Sequence, residues 1–257
     1  MEREDSVTES DLYNRLVESF LSPYDVNAEY EFIKQLGRGA FGFVSKAKHR
    51  ETGDIAAIKT IILGHHGKDC KNVVREISAI IKLQPNENIV RLLDIFKGKE
   101  NKLHFVMELC DEDLAKFMVN DVNHSDRLLF DVAQQIARGI SALHTNKPAI
   151  IHRDIKPENI LLVIGERPTD IVVKIADFGI SSIDVVDVDS TGTSFIPIMH
   201  TDRPQGTYPY MPPECYAAMD GHGVVDGKFI FDASVDIFSL GLVYVYIFCY
   251  HSNRYGQ

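Results

Sequence analysis

Residues 151–159 read Ile151-His152-Arg153-Asp154-Ile155-Lys156-Pro157-Glu158-Asn159. Asp154 and Asn159 are separated by four residues, in a polar loop that lies between apolar segments. A second short run, Asp177-Phe178-Gly179, comes 18 residues after Asn159. Short strands are predicted to flank this region across residues 150–176, so the polar groups fall in a loop held between buried segments.

A glycine-rich stretch, Gly37-Arg38-Gly39-Ala40-Phe41-Gly42, lies far upstream. Glycines at this spacing occur in ordinary loops and in dinucleotide-binding folds, where a helix must follow the last glycine. Here residues 43–48 alternate as a strand, so the glycines are predicted to cap a hairpin, which excludes a dinucleotide-dependent enzyme. Glycine is suited to this place because a side chain would keep backbone N–H groups away from phosphate oxygens.

A lysine and a glutamate follow the glycines. Lys59 comes 17 residues after Gly42 in a predicted strand, where it could meet the same phosphates. Glu76 lies among apolar residues of a helix predicted over 69–83 and would be costly to bury unless it were paired. Taken by themselves, the two residues also fit a strand-edge lysine and a solvated helix glutamate.

The composition indicates an ordinary globular protein. The chain has 257 residues, a formal charge of −10, 45% hydrophobic residues and 25% charged residues, which is ordinary globular usage. The acidic balance argues against binding to nucleic acid or to anionic membranes. Four scattered cysteines disfavour a zinc site or a disulfide framework and favour a reducing intracellular compartment, cytoplasmic or nuclear.

The pattern of elements predicts two parts of an α+β protein. Strands over 30–62, 89–96 and 103–109 with the helix over 69–83 form a small antiparallel sheet, and helices over 113–120 and 126–144 begin a mainly helical part. A polar loop is predicted over 181–205. The apolar run over 237–250 is too short to span a membrane and is predicted to be a buried core helix.

Residues 1–29 are predicted to be an extension with a short helix over 12–21. Its apolar face either packs on the rest of the chain or binds a partner.

Together these segments resemble the eukaryotic protein kinase family of the serine/threonine type, in order and in spacing, across about residues 30–250. The resemblance implies a two-lobed fold with a β-rich lobe over 30–108, a cleft near 108–113 and a helical lobe over 113–257. The motifs that carry it are Leu36 to Val44, Ala57-Ile58-Lys59, Glu76, His152 to Asn159, Asp177-Phe178-Gly179 and Gly206 to Glu214.

What the resemblance implies is transfer of the γ-phosphate of ATP to serine and threonine hydroxyls of proteins. Asp154 would orient the hydroxyl and accept its proton, and Lys156 would contact the transferred phosphate. Asp177 and Asn159 would hold Mg²⁺, or Mn²⁺ in its place. The residues implied for ATP are Leu36, Gly37, Gly39, Gly42, Val44, Ala57, Lys59, Glu76, Met107, Glu108, Cys110, Asp113 and Leu161.

The same resemblance leads to expectations about how the chain is regulated and which substrates it prefers. Arg153 before the catalytic aspartate implies control by phosphorylation of the loop over 181–205, although Asp184, Asp187 and Asp189 would repel a phosphate there. Thr207 is expected to contact the catalytic loop. Glu158 and the net charge favour basic residues near the acceptor of a protein substrate. The candidate phosphorylation sites are Ser190, Thr191, Thr193, Ser194 and Thr201.

Two departures from the family stand out. Phe238 replaces the usual tryptophan and is expected to pack as an apolar residue. No residues can be assigned to the last helices of the helical lobe, so the final apolar helix is expected to be under-covered and the chain prone to aggregation. The alternative function is therefore a kinase-like nucleotide-binding or scaffold module with little activity.

Overall fold

The computed structural model describes residues 21–22, 25–39, 42–62, 81, 83, 85–99, 102–120, 124–167, 169–179, 181–183, 199–201, 205–222, 224–225 and 228–255. Two compact units divide these residues near 109–110. The first takes the residues up to 62 together with Arg91–Leu109, and the second takes the residues before Arg91 from 81 onward and those from Cys110 onward.

The first unit is a six-stranded sheet in the order β1-β5-β6-β4-β3-β2. Its strands are β1 (Leu21–Ser22), β2 (Tyr30–Gly39), β3 (Gly42–His49), β4 (Ile55–Ile62), β5 (Leu92–Lys97) and β6 (Lys102–Glu108), and a short helix α1 (Val26–Glu29) precedes β2. The antiparallel sheet predicted from the sequence is confirmed, except that β1 pairs with β5 in parallel. Leu21 lies in β1 rather than in the predicted helix, whose other residues lie outside the described part of the chain.

The helix predicted over 69–83 also lies outside the described residues, apart from Ile81, which is helical, and Leu83. The strand predicted from Ile89 begins instead at Leu92. The reason is that residues 88–90 pair with Ile175: the Val90 N–H donates to the Ile175 carbonyl at 3.0 Å, and the Ile175 N–H donates to the Asn88 carbonyl at 2.9 Å. One apolar run is thus divided between the two units.

The second unit combines helices with three small sheets, so it holds more strand than the sequence predicted. Its elements are β7 (Glu112–Asp113), α2 (Leu114–Asn120), α3 (Asp126–Thr145), β8 (Ile150–Ile151), β9 (Ile160–Ile164), β10 (Ile171–Ile175), β11 (Ser182–Ile183), β12 (Met199–Thr201), α4 (Pro213–Met219), β13 (Val224–Val225), β14 (Lys228–Phe231) and α5 (Ser234–Tyr255). Short 3₁₀ turns lie at Pro157–Asn159 and Tyr208–Tyr210.

Helix α3 is built as its sequence predicts. The Ser125 hydroxyl caps its first turn by accepting from the Leu128 N–H at 3.3 Å. The predicted apolar face is buried, with Leu129, Val132, Ile136 and Leu143 each inaccessible to solvent. This helix contacts β10 and β8, and the catalytic-loop motif follows β8 directly in the chain.

Helix α5 forms over the apolar run as predicted, but only part of its surface is buried, in agreement with the expectation that this final helix is under-covered. Val243 and Ile247 are fully buried, but Ile237 is 51% exposed, Val245 55% and Phe238 41%. Phe238 therefore does not pack in the core as expected. Among the described residues, no helix combines the length and the apolarity needed to cross a membrane.

Candidate active site

The loop after β8 is fixed by one buried carboxylate. Asp236, in the first turn of α5 and fully buried, accepts from the His152 N–H at 2.8 Å and from the Arg153 N–H at 2.7 Å. His144 of α3 bonds the same carboxylate through Nε2 at 2.8 Å. Because two adjacent backbone donors share one side chain, the loop has little freedom to turn around Arg153.

The backbone at Arg153 has a φ of 68°, which is uncommon for a residue with a side chain. Gly206 packs against its carbonyl oxygen, and a Cβ at position 206 would lie 2.9 Å from that oxygen. Strained backbone of this kind costs about 1–3 kcal/mol and persists where surrounding bonds enforce it, often at functional sites. Here Asp236 supplies those bonds.

His152 joins this loop to the Asp177 segment. Its Nδ1 accepts from the Asp154 N–H at 3.2 Å, which leaves the proton on Nε2 to be donated to the Ala176 carbonyl at 3.0 Å. The ring centroid lies 5.0 Å from that of Phe178, and both side chains are fully buried. The two sequence motifs of the second unit thus form one packed assembly.

Asp154 is surrounded by three donors. Thr207 Oγ1 donates to Oδ1 at 2.6 Å, while Lys156 Nζ lies 2.8 Å and Asn159 Nδ2 2.9 Å from Oδ2. Lys156 Nζ also donates to Thr207 Oγ1 at 2.7 Å, so lysine, threonine and aspartate form a closed ring of bonds. The expected contact of Thr207 with the catalytic loop is present.

Asn159 and Asp177 carry the oxygen atoms that suit Mg²⁺. Asn159 Nδ2 donates to both the carbonyl oxygen and Oδ2 of Asp154, at 2.9 Å each, which leaves its amide oxygen for another ligand. The Asn159 carbonyl accepts from the Ala176 N–H at 3.0 Å, one residue before Asp177. Asp177 is exposed and has a φ of 65°.

These residues fit Mg²⁺ by the chemistry of the donor set, because that ion is commonly held by one or two protein oxygens together with substrate phosphates. Within the described residues, no cluster of three or more His, Cys, Asp or Glu side chains could hold a metal by itself.

The first unit places four of its predicted ATP residues on one face of the sheet. Lys59 pairs with Val44 in β3, and Ala57 pairs with Met107 in β6. Residues directly opposite each other, and residues two apart on one strand, share a face, so these four side chains project to the same side. The Glu108 carboxylate accepts from the Arg91 N–H at 2.7 Å. Glu76 lies outside the described residues.

The three glycines differ in what the fold requires of them. Gly42 has a φ of 156°, and a Cβ there would lie 1.9 Å from the Thr60 carbonyl oxygen. At Gly37 and Gly39 a Cβ would meet nothing within 4 Å, while Leu36 beside them is 44% exposed. The hairpin itself therefore demands only Gly42, and the space at the other two is open to a ligand.

The remaining residues predicted to bind ATP, Cys110, Asp113 and Leu161, lie in the second unit. Asp113 of β7 pairs with Leu161 of β9. The Asp113 carboxylate accepts from the Lys116 N–H at 2.9 Å and from Lys116 Nζ at 2.6 Å, so it also caps α2. Cys110 is half-buried and precedes this strand. Among the described residues, Cys110, Cys215 and Cys249 form no disulfide.

Sequence reasoning missed a hairpin that contacts the catalytic loop. β13 and β14 are joined through Asp226-Gly227, and β14 also pairs with β12 at the end of the segment predicted to be a polar loop. An Asp-Gly pair between two apolar runs is a strong signal for a hairpin, so the sequence could have predicted this one. Phe231 of β14, with Gln205 and His144, was also not singled out.

Comparison with known proteins agrees with this site. The family model described as protein kinase domain matches residues 30–255. Similar curated proteins include a Dictyostelium discoideum protein named probable myosin light chain kinase, 32% identical over 89% of this chain and 52% of its own length. Cyclin-dependent kinase-like 1 of Caenorhabditis elegans is 31% identical over 84% of this chain and 54% of its own.

A further relative, the zebrafish (Danio rerio) serine/threonine-protein kinase tousled-like 1-B, is 32% identical over 85% of this chain and 28% of its own length. The chain thus spans about half or less of the curated relatives it matches. It belongs to the protein kinase family, and the relatives are of the serine/threonine type. The family assignment and the α+β fold class made from the sequence are confirmed.

Proposed function

We propose that this chain is an ATP- and Mg²⁺-dependent kinase that phosphorylates serine and threonine hydroxyls of proteins. The observation that carries the proposal is the set of bonds around Asp154. A carboxylate offers about four lone pairs. Thr207 occupies one on Oδ1, and Lys156 and Asn159 occupy two on Oδ2. One lone pair of Oδ1 is left to receive a substrate hydroxyl.

Asp154 would accept the proton of that hydroxyl as its oxygen attacks the γ-phosphate, a role worth about 10²–10⁴ in rate. Lys156 lies beside the carboxylate and would neutralise charge on the phosphate being transferred. Asn159 and Asp177 would hold Mg²⁺, which would neutralise further charge on the phosphates. Lys59 would bind the α- and β-phosphates from the first unit.

The substrate is proposed to carry basic residues near the acceptor. Glu158, within the catalytic-loop motif, is exposed, and the net charge of −10 supports the same preference. A matched pair of serine peptides that differ only in flanking lysine or glutamate tests this point. A higher kcat/KM for the glutamate peptide would contradict it.

The experiment that tests the function measures phosphate transfer from Mg-ATP to serine, threonine and tyrosine versions of one peptide. Transfer to serine and threonine is expected, with Asp154→Asn lowering kcat at least 10²-fold and leaving ATP affinity within a few-fold. The matched control is Asp131→Asn, an exposed aspartate on α3. Nucleotide binding without turnover by the native chain would instead indicate a binding or scaffold module.

A further inference from the structure

Strand β10 lies at the edge of a three-stranded sheet and ends two residues before Asp177. It pairs with β9 along one side. Every second residue of a strand turns its backbone groups to the same side, and Ile171, Val173 and Ile175 turn theirs away from β9. An edge of this kind leaves N–H and C=O groups that other parts of the chain or solvent must satisfy.

Gln135 of α3 bonds this edge with its side chain. Its Nε2 donates to the Ile171 carbonyl oxygen at 2.8 Å, and its Oε1 accepts from the Val173 N–H at 2.9 Å. One amide group thus donates to and accepts from the same strand, as the backbone of a neighbouring strand would. The residue lies on the helix that contacts β10.

Asn88 continues the same row of bonds toward the end of β10. Its Nδ2 donates to the Val173 carbonyl oxygen at 3.0 Å and to Gln135 Oε1 at 3.2 Å, and the residue is 5% exposed. The Asn88 carbonyl oxygen accepts from the Ile175 N–H at 2.9 Å. The two side chains and the backbone of residue 88 therefore bond β10 from its first residue to its last.

The close approach of α3 to this edge depends on Gly139, one turn after Gln135. A Cβ at position 139 would lie 2.6 Å from Ile175 Cδ1 and 3.0 Å from the Asn88 carbonyl oxygen. Residues four apart on a helix lie on one face, so the glycine and the glutamine meet the same strand. The absence of a side chain at position 139 lets the helix lie near enough for the Gln135 amide to bond the strand.

The chain is bonded again at Ala176, the residue between β10 and Asp177. The Ala176 N–H donates to the Asn159 carbonyl oxygen, and its own carbonyl oxygen accepts from His152 Nε2, at 3.0 Å each. Asp177 has a φ of 65°, in the left-handed region that residues with a side chain rarely adopt. Because this turn follows directly from the strand, the direction of the Asp177 carboxylate depends on where β10 ends.

We propose that Gln135 and Asn88 are positioning residues, which hold the end of β10 and through it keep the Asp177 carboxylate where it binds Mg²⁺. The proposal rests on the kinase activity proposed above, in which Asp177 is a ligand of Mg²⁺. Neither residue has to touch ATP or the substrate. Removing the Gln135 amide takes these partners from the Ile171 carbonyl and the Val173 N–H, and a strand that loses such bonds opens more readily.

The test replaces Gln135 by leucine, which has a similar size and no amide. We expect the Mg²⁺ concentration that gives the half-maximal rate to rise about tenfold, the lower end of the range for residues that orient metal ligands. The KM for a peptide substrate should stay within about twofold, because the peptide does not contact β10 in this proposal. Asn88→Ala should act in the same direction. An unchanged Mg²⁺ requirement in Gln135→Leu would overturn the proposal.

Two matched controls lie on α3 or at its start. Gln134→Leu changes the neighbouring exposed glutamine, whose amide oxygen accepts from Arg138 of the same helix at 3.5 Å, and it should leave the Mg²⁺ requirement unchanged. Ser125→Ala removes the cap of the helix and should lower the melting temperature without changing the Mg²⁺ requirement. An equal rise of that requirement in Ser125→Ala and Gln135→Leu would indicate a general loss of stability and overturn the positioning role.

Two further readouts do not require turnover. Amide hydrogen exchange over residues 171–177, measured without nucleotide, should be faster in Gln135→Leu than in Ser125→Ala. Binding of Mn²⁺ in the presence of a non-hydrolysable ATP analogue, followed by electron paramagnetic resonance, should be weaker in Gln135→Leu than in Gln134→Leu. Both results together support the positioning role even if the chain transfers no phosphate.

The outcomes separate this proposal from the kinase activity itself. Equal exchange in all variants, or an unchanged Mn²⁺ affinity in Gln135→Leu, overturns the positioning role even if the chain is an active kinase. A native chain that binds no Mn²⁺ with the ATP analogue overturns the proposed function and the positioning role with it.

Discussion

Replacing Asp236 by asparagine removes the negative charge of the buried carboxylate that fixes the loop after β8. The side chain keeps almost the same size and shape. In the native chain, Oδ2 of Asp236 accepts from the His152 N–H and from His144 Nε2. Oδ1 accepts from the Arg153 N–H. The amide can keep its oxygen on the side with two donors. Its NH₂ group then faces the Arg153 N–H, and that buried donor has no acceptor from residue 236.

The cost follows from these three bonds. A buried donor left unsatisfied costs about 1–3 kcal/mol, and two bonds that lose their charge assistance weaken by about 1 kcal/mol each. Asp236→Asn should therefore lower the free energy of unfolding by about 3–5 kcal/mol. At about 2–4 °C per kcal/mol for a chain of this size, the melting temperature should fall by about 6–20 °C.

Differential scanning calorimetry measures this change, and Asp232→Asn is the matched control. Asp232 precedes the same helix, and its carboxylate accepts from the exposed Ser234 N–H at 2.7 Å, so loss of its charge should cost about 1 kcal/mol or less. The kcat of Asp236→Asn should also fall, because Arg153 and Asp154 lose their fixed backbone. A melting temperature within 2 °C of the native chain, with unchanged kcat, would refute the assignment of Asp236 as the anchor.

Three further predictions concern other parts of the fold. Burial lowers the pKa of His104, which bonds Thr60 Oγ1, so the unfolded chain binds a proton more readily than the folded one. Stability should therefore be full above about pH 6.5 and decline as the pH falls toward 5, and His104→Gln should flatten that decline in urea titrations. Gly42→Ala should destabilise the first unit by several kcal/mol in the same titrations, because the new Cβ would overlap the Thr60 carbonyl. Gly37→Ala meets no atom of the fold, so it should leave the melting temperature unchanged and weaken only the affinity for ATP measured by calorimetry. Ser125→Ala removes the cap of α3 and should lower the melting temperature by about 2–4 °C; no change would show that the cap contributes nothing.

The elements that sequence reasoning predicted well are those specified by local patterns. Strands β2 to β4 follow one another closely in the chain. Helix α3 carries both a capping serine and a regular apolar face. The segments of the candidate site were predicted through Asp154, Asn159 and Asp177, because carboxylate and amide side chains of these types suit phosphoryl transfer, and their catalytic roles stay a prediction. These features depend on residues close together in the chain, and a sequence displays them directly.

The features that were missed depend on distant pairs. The Gln205 and Phe231 contacts of Arg153 join residues that are 52 and 78 positions away. The apolar run of α5 gave no sign of which face is covered, because an all-apolar helix carries no contrast between its sides. For the same reason the start of β5 was misplaced: Ile89 is as apolar as Leu92, and only its pairing with Ile175 assigns it to the other unit.

The support of Asp154 is therefore distributed over segments that no single motif contains. Asp236 of α5 and His144 of α3 hold the backbone before it, the Phe231 ring lies against the neighbouring arginine, and Thr207 bonds the carboxylate itself. Because these contacts act on one loop, their effects should not add when they are removed together. The sequence motif contains the groups that are proposed to perform the chemistry, while their placement depends on residues between 144 and 236 that lie outside the motif.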